Sequence, residues 1–319
     1  MALLNHTPTA EWGTWTCADI DKCAKREINL LKTVSPHPNI VHFVEAFEEA
    51  RSAFLVMEHL TCDLTAFVDT WYGGCGLPVM MTKHVIFQIC AALKHVHDTG
   101  YVFRDTKPAN VLTKLSERGA VRDGARLNEG ALLAGKAVIA KLCDFGCARK
   151  LGPNTSKDDM APSWPTPADV LTTRVGTLVY CPPETLLGTP FWDDAAGVTV
   201  HSAYGVGFDM WGLGVTMVEC LTGEMLFAVG DAKGQLMKIQ AVLGSLTSHQ
   251  HDLYTRSHRQ DLPRPAHRPH GISSTIGPGL LDAAELRFLT SLLKVDPAQR
   301  PTAAAALADP CFQNLFHAP

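Results

Sequence analysis

The sequence predicts an α+β chain in which a short mixed beginning precedes a much larger, mainly helical part. Three observations carry this. Two apolar runs near the start, "IVHFVEAF" and "SAFLVME", flank the polar "EEAR" and read as a strand hairpin. Helical spacing dominates afterwards, as in "TKHVIFQICAALKHVHDTG", where Val85, Ile86, Ile89, Leu93 and Val96 share one face. The stretch "DMWGLGVTMVECLTG" is apolar nearly all round, which is the pattern of a helix buried on every side.

Taken in order, "CADIDKCAKREINLLKTV" places Ile20, Cys23, Ala24, Ile28, Leu30, Leu31 and Val34 at helical spacing until "SPHPN" breaks it. The hairpin follows, then the helix that ends near Gly100, a residue suited to a C-terminal cap. Residues 115–135, "LSERGAVRDGARLNEGALLAG", are charged and rich in glycine and alanine. Lying between the apolar "NVLT" and "AVIAKLCDFG", they are expected to form a long exposed hairpin tip. Residues 245–280 hold five histidines and "LPRPAHRPHGI", and are expected to be a solvated proline-rich loop. A metal-binding interaction module built on "HQH" would need further ligands, and the sequence supplies no second cluster. From Asp282 the pattern is helical again, broken at "KVDPAQRP".

Composition limits the partners. The chain has 319 residues, 46% of them hydrophobic and 19% charged, as in ordinary globular proteins. A formal net charge of -4 disfavours nucleic acid and anionic membrane as bulk electrostatic partners. The beginning shows no basic segment followed by an apolar core, and no run approaches a membrane span, so an intracellular location in cytoplasm or nucleus is expected. The ten cysteines show no paired C-x-x-C spacing and are expected to be free thiols.

The chemistry is concentrated in "YVFRDTKPAN", residues 101–110, and in "CDFG". Asp105 and Asn110 stand five apart, and Asp144 follows downstream. One carboxylate to orient or deprotonate a hydroxyl, with an amide and a second carboxylate to hold magnesium, is what phosphoryl transfer requires. This set resembles the protein kinase family, whose catalytic loop reads H-R-D-x-x-x-x-N and is followed by D-F-G.

The resemblance extends from about residue 20 to residue 313. "RVGTLVYCPPE" resembles the end of a kinase activation segment, which implies that Glu184 pairs with Arg300 of "DPAQRP". "GFDMWGLG" resembles the buried central helix of the larger lobe, with Asp209 hydrogen-bonded back to the catalytic loop. "REINLLK" with "HPNIV" resembles the regulatory helix and the strand after it, making Glu27 the helix glutamate. "LVMEHLTCDLTAF" looks like the hinge, with Met57 at the gatekeeper position and the backbones of Glu58 and Leu60 meeting adenine over Leu112. The hinge, "GDAKGQLMKI" and the loop after it are most similar to the cyclin-dependent kinase branch.

That resemblance implies a bilobal kinase-like fold, with ATP and Mg2+ as cofactors and protein serine or threonine hydroxyls as substrates. Asp105 would act on the hydroxyl and Lys107 on the transferring phosphoryl group, while Asn110 and Asp144 would hold the magnesium ions. Thr172 and Thr173 lie where the family often carries its activating phosphate, which Arg104 would pair with; Thr173 is the first choice, and Thr177 is expected to be structural, near Asp105. A cyclin-like or other regulatory subunit is a possible partner, although "DKCAKREI" matches the cyclin-contacting helix only at its end.

The sequence also departs from the family. Phe103 replaces the histidine before Arg-Asp, and its ring is expected to join Leu31, Phe43 and Phe145 in an apolar column; "PPE" stands for A-P-E. Cys143 is read as a small buried strand residue rather than a redox group. The family's glycine-rich loop and strand lysine have no counterpart: before Gly73 the only glycine is Gly13, and no lysine or arginine precedes Lys22. Lys22 and Lys25 lie on or beside the helix of Glu27 and cannot face it as the strand lysine does. The expected organisation is therefore an atypical lead-in over 1–19, a partial small lobe over 20–58 and a complete large lobe over 59–319, with insertions at 115–135 and 245–280. The implied function is a Ser/Thr kinase whose sequence is truncated at its N-terminus, with a pseudokinase or binding scaffold as the alternative.

Overall fold

Apolar residues spaced three and four apart make residues Cys17–Val34 an amphipathic helix, α1, that buries Leu30, Leu31 and Val34. This computed structural model describes residues 17–49, 52–115, 138–151, 177–187, 191–193, 198–200, 205–265 and 267–315. After α1 come β1 (Phe43–Glu49) and β2 (Ser52–Met57), antiparallel, with Phe43 opposite Met57 and the rings of Phe47 and Phe54 stacked at 5.1 Å. The first strand starts three residues later than its apolar run predicts. Ile40 instead forms a bridge to Leu142, and the amide of Val41 donates to the carbonyl of Leu142 at 2.9 Å. Those apolar residues thus join the small lobe to the large one. The strand also runs through Glu48 and Glu49, which the polar reading placed in the turn.

The large lobe opens with β3 (Cys62–Asp63) and α2 (Leu64–Tyr72). The helix was not apparent in the sequence because it begins inside the hinge-like stretch; Asp63 caps it by accepting the Ala66 amide at 2.9 Å. Next is α3 (Val79–Asp98), with Thr99 at its C-cap followed by Gly100, φ 80°. β4 (Tyr101–Val102) leads into the polar loop and β5 (Val111–Leu115) leaves it. β5 lies between β3 and β6 (Val138–Leu142), with Leu115 opposite Val138. The expected tip at 115–135 falls, after Leu115, outside the described residues. β7 (Arg149–Lys150) pairs with β4, and α4 (Pro183–Leu186) precedes the small ribbon β8 (Phe191–Asp193) and β9 (Val198–Val200).

The core organises around α5 (Gly207–Thr222), in which every residue from Phe208 to Leu221 is buried. Its small residues let neighbours approach: a Cβ on Gly212 would lie 2.9 Å from the Thr106 carbonyl oxygen. Glycine there seats the polar loop directly on the helix. Then follow α6 (Ala232–Leu243), α7 (Ser248–His258), α8 (Ile272–Ile276), α9 (Ala283–Leu292) and α10 (Ala303–Leu307). Residues 245–280 are therefore not simply a solvated loop. Thr247 and Gln250 form a reciprocal capping box, and Gln250, His251 and Tyr254 bury one face of α7; polar side chains hid this helix from a reading based on apolar periodicity. Across the lobe, Lys83 of α3 donates to Glu285 of α9 at 2.9 Å, and both are buried.

Candidate active site

β4 and β7 pair with Val102 opposite Arg149, so the loop leaving β4 and the loop entering β7 lie side by side. Both loops bend through left-handed backbone at residues other than glycine, Arg104 with φ 69° and Asp144 with φ 60°. Such a conformation costs roughly 1–2 kcal/mol per residue and needs local compensation. At Arg104, Asp209 of α5 supplies it. Its Oδ1 accepts the Arg104 amide at 2.7 Å, while Oδ2 accepts the Phe103 amide at 2.8 Å and His97 Nε2 at 2.8 Å. Arg104 itself is fully buried, its Nε donating to the Cys147 carbonyl at 2.8 Å.

With the loop held in this way, Asp105 is presented among donors. Its Oδ2 accepts from Lys107 Nζ at 2.8 Å and from Asn110 Nδ2 at 2.7 Å, and its Oδ1 accepts the Thr177 amide at 3.2 Å. Lys107 Nζ also donates to Thr177 Oγ1 at 2.7 Å. Asn110 Nδ2 makes a second bond, to the Asp105 carbonyl at 3.0 Å. Both amide protons of Asn110 are thereby engaged, which turns its oxygen into the group available to a cation.

Asp144 Oδ1 accepts the Gly146 amide at 3.2 Å. Glu27 approaches the same glycine: a Cβ on Gly146 would stand 3.3 Å from Asp144 Oδ1 and 3.5 Å from Glu27 Oε2. Burial, and then the Glu27 charge, hold the Asp144 carboxyl above its ordinary value. A divalent cation is the natural complement of this pair, and the carboxylate and amide oxygens of Asp144 and Asn110 are the hard donors that magnesium takes. The residues present therefore fit that ion. Neighbouring Cys143 is a different case, because burial pushes its thiol up to about 12 and keeps it protonated.

At the other end of the cleft, Met57 and Leu60 are buried on either side of Glu58. Glu58 Oε1 accepts from Lys141 Nζ at 2.5 Å and from the His42 amide at 2.7 Å, and the Glu58 amide donates to the His42 carbonyl at 3.0 Å. Burial would raise its carboxyl, but the bonds from Lys141 and His42 outweigh that and hold it below its ordinary value. Leu112 is half-buried in β5, opposite Lys141 of β6 and Asp63 of β3. Phe103 meets Phe145 edge-on at 5.1 Å, joining the two loops through an apolar contact.

The segment from Thr177 is fixed from below. Gln235 Nε2 of α6 donates to the Leu178 carbonyl at 2.8 Å, and the Tyr180 hydroxyl donates to Glu219 of α5 at 2.5 Å. Farther along, Arg300 grips Glu184 through NH1 and NH2 at 2.7 and 2.8 Å and lies 5.0 Å over the Trp211 ring. The structure thus gathers Asp105, Lys107, Asn110, Asp144, Glu27 and Thr177 around one cleft. Arg104 and Asp209 lie beneath it, and Glu184 and Arg300 form a separate clamp. Thr172 and Thr173 lie outside the described residues.

Sequence reasoning missed His97, Lys141 and Gln235. A histidine in the last turn of a helix reads as a partner of the helix dipole, and single polar residues in a strand or helix face give no periodic signal. Among the described residues no group of three or more histidine, cysteine or acidic side chains gathers as metal ligands, and no helix is long and apolar enough to cross a membrane.

The fold is that of a two-lobed kinase-like domain, and the chain belongs to the protein kinase family: a model of the protein kinase domain matches residues 15–312. Over 299 residues the chain is 29% identical to cyclin-dependent kinase-like 5 of Mus musculus and, equally, to cyclin-dependent kinase-like 5 of Homo sapiens. Each alignment takes in 93% of this chain and 26% of the relative, so the chain spans about a quarter of the length of the curated relatives it matches.

Proposed function

We propose that the chain is a protein serine/threonine kinase domain that transfers the γ-phosphate of ATP to protein hydroxyls. The observation that carries this reading is the Asp105–Lys107–Thr177 cluster, in which a carboxylate and an ammonium are held within 2.8 Å of each other at the mouth of the loop. Asp105 takes the proton of the incoming hydroxyl, and Lys107 offsets the negative charge that gathers on the phosphoryl oxygens. Asn110 and Asp144 hold magnesium, which when bound neutralises phosphate charge. The Glu58 and Leu60 backbones receive adenine over Leu112. Residues 20–58 then serve as small-lobe structure and 59–319 as the large lobe, with residues 1–19 as an atypical lead-in. Phosphate on Thr173 or Thr172 would activate the domain by drawing its segment over Arg104, and because Arg104 is fully buried, that segment must pack onto the loop to reach it.

A second reading, a binding scaffold with little transfer, is favoured by one specific observation: Glu27 and Asp144 approach the same Gly146, so that two carboxylates meet there and the Glu27 charge helps to raise the Asp144 carboxyl. The two readings separate in one experiment. Asp105→Asn removes phosphotransfer and leaves Mg-ATP affinity unchanged if Asp105 acts on the hydroxyl; near-normal turnover in that variant refutes the assignment.

A further inference from the structure

Residues 256–270 carry an unusual charge for a chain of net charge -4: four arginines, Arg256, Arg259, Arg264 and Arg268, against one aspartate, Asp261. All four arginines are exposed, as are His258, His267 and His270. Arg256 lies in the last turn of α7 and Arg259 caps its end, where a cation complements the helix dipole. No such local account covers Arg264 and Arg268, which lie beyond the helix. Arg259, Arg264 and Arg268 make no ion pair among the described residues.

The surface is also held in shape. Gln240 of α6 donates to the Pro263 carbonyl at 3.2 Å, and the amides of His270 and Gly271 donate to the carbonyls of Ala241 and Val242 at 2.9 and 3.0 Å. Arg264 and Arg268 therefore sit between two anchors on consecutive residues of one helix. Leu262 is buried beneath the first anchor, Thr255 Oγ1 bonds Asp261 at 3.2 Å, and prolines at 263, 265 and 269 restrict the backbone. Keeping like charges together on a rigid loop is unfavourable unless something negative meets them, and a pre-shaped surface loses little entropy when it binds.

From this geometry we infer that the α7 C-terminus and the loop over α6 form a docking surface for an Asp/Glu-rich segment of a partner protein. The arginines are exposed and spread out rather than converging in a buried pocket, which suits several distributed carboxylates better than one phosphate group. Nucleic acid is the poorer fit, because residues 255–271 contain no phenylalanine, tyrosine or tryptophan as a stacking platform and the chain as a whole is acidic, with a formal net charge of -4. The surface does not use the catalytic residues, so the inference stands whether or not the domain transfers phosphate.

The test is fluorescence anisotropy of a labelled Asp/Glu peptide and its Asn/Gln counterpart with the full 319-residue chain. The acidic peptide binds in preference, and its affinity falls between about 50 and 300 mM salt as screening grows. Arg264→Gln with Arg268→Gln weakens it about tenfold, and Arg264→Glu with Arg268→Glu more strongly, with unchanged melting temperature. Equal binding of the two peptides, or undiminished binding by the charge-reversed variant, overturns the inference. So does capture of a single-stranded oligonucleotide or phosphatidylserine vesicles more tightly than the acidic peptide through the same arginines.

Discussion

Asp209 Oδ1 accepts the amide of Arg104 at 2.7 Å, and both residues are fully buried. Through this bond the central helix supports the Asp105 loop in the left-handed bend at Arg104, φ 69°. Asp209→Ala leaves the Phe103 and Arg104 amides without their acceptor, at about 1–3 kcal/mol for each. Urea denaturation should show a loss in that range or above; a loss under about 0.5 kcal/mol would mean the loop shape is set elsewhere.

Gly212 gives a second check on the same seat. A methyl group there meets the Thr106 carbonyl oxygen at 2.9 Å and Thr106 Cβ at 3.0 Å, both in or next to rigid backbone. Gly212→Ala should cost about 1–3 kcal/mol as overpacking and shift Asp105. Turnover then falls more than nucleotide affinity, measured as a kcat against KM split.

His37 makes stability depend on pH. Its Nδ1 accepts the Asn39 amide at 3.1 Å, so protonation there requires that bond to break, and its ring stacks on His95 at 4.7 Å. Burial first, then His95 and Lys141, lower its pKa from 6.5. Well above pH 6.5 neither folded nor unfolded chains are protonated at this site; as pH falls through 6.5 the unfolded chain takes up the proton first, and stability declines. Urea midpoints measured downward from neutral pH should fall more steeply for the native chain than for His37→Asn, and parallel curves would remove His37 as the cause.

Lys83 and Glu285 join α3 to α9 from buried positions. Lys83→Met strands a buried carboxylate and should cost about 3–5 kcal/mol. Lys83→Met with Glu285→Gln, which keeps a group able to cap α9, recovers part of that loss. A double-mutant cycle with no coupling would contradict the pairing.

Much of this was legible because the chemistry is local in sequence. Asp105, Lys107 and Asn110 fall within six residues, and α5 announces itself by being apolar all round. What was hidden depends on tertiary contact. Ile40 reads as strand but bridges to Leu142, α7 is polar enough to pass for loop, and His97 reaches Asp209 from a helix end that looks ordinary. The absence of a lysine or arginine before Lys22 was plain in the sequence, whereas the approach of Glu27 to Asp144 across Gly146 required coordinates.

On the proposed function, the Asp105 loop moves phosphate onto serine or threonine. The direct measurement is phosphoamino-acid analysis of a mixed Ser, Thr and Tyr peptide substrate incubated with the 319-residue chain and γ-labelled Mg-ATP, with Asp105→Asn in parallel. Label is expected on serine and threonine, none on tyrosine, and none with Asp105→Asn. Label on no residue at saturating nucleotide, or equal label from native chain and Asp105→Asn, would contradict it.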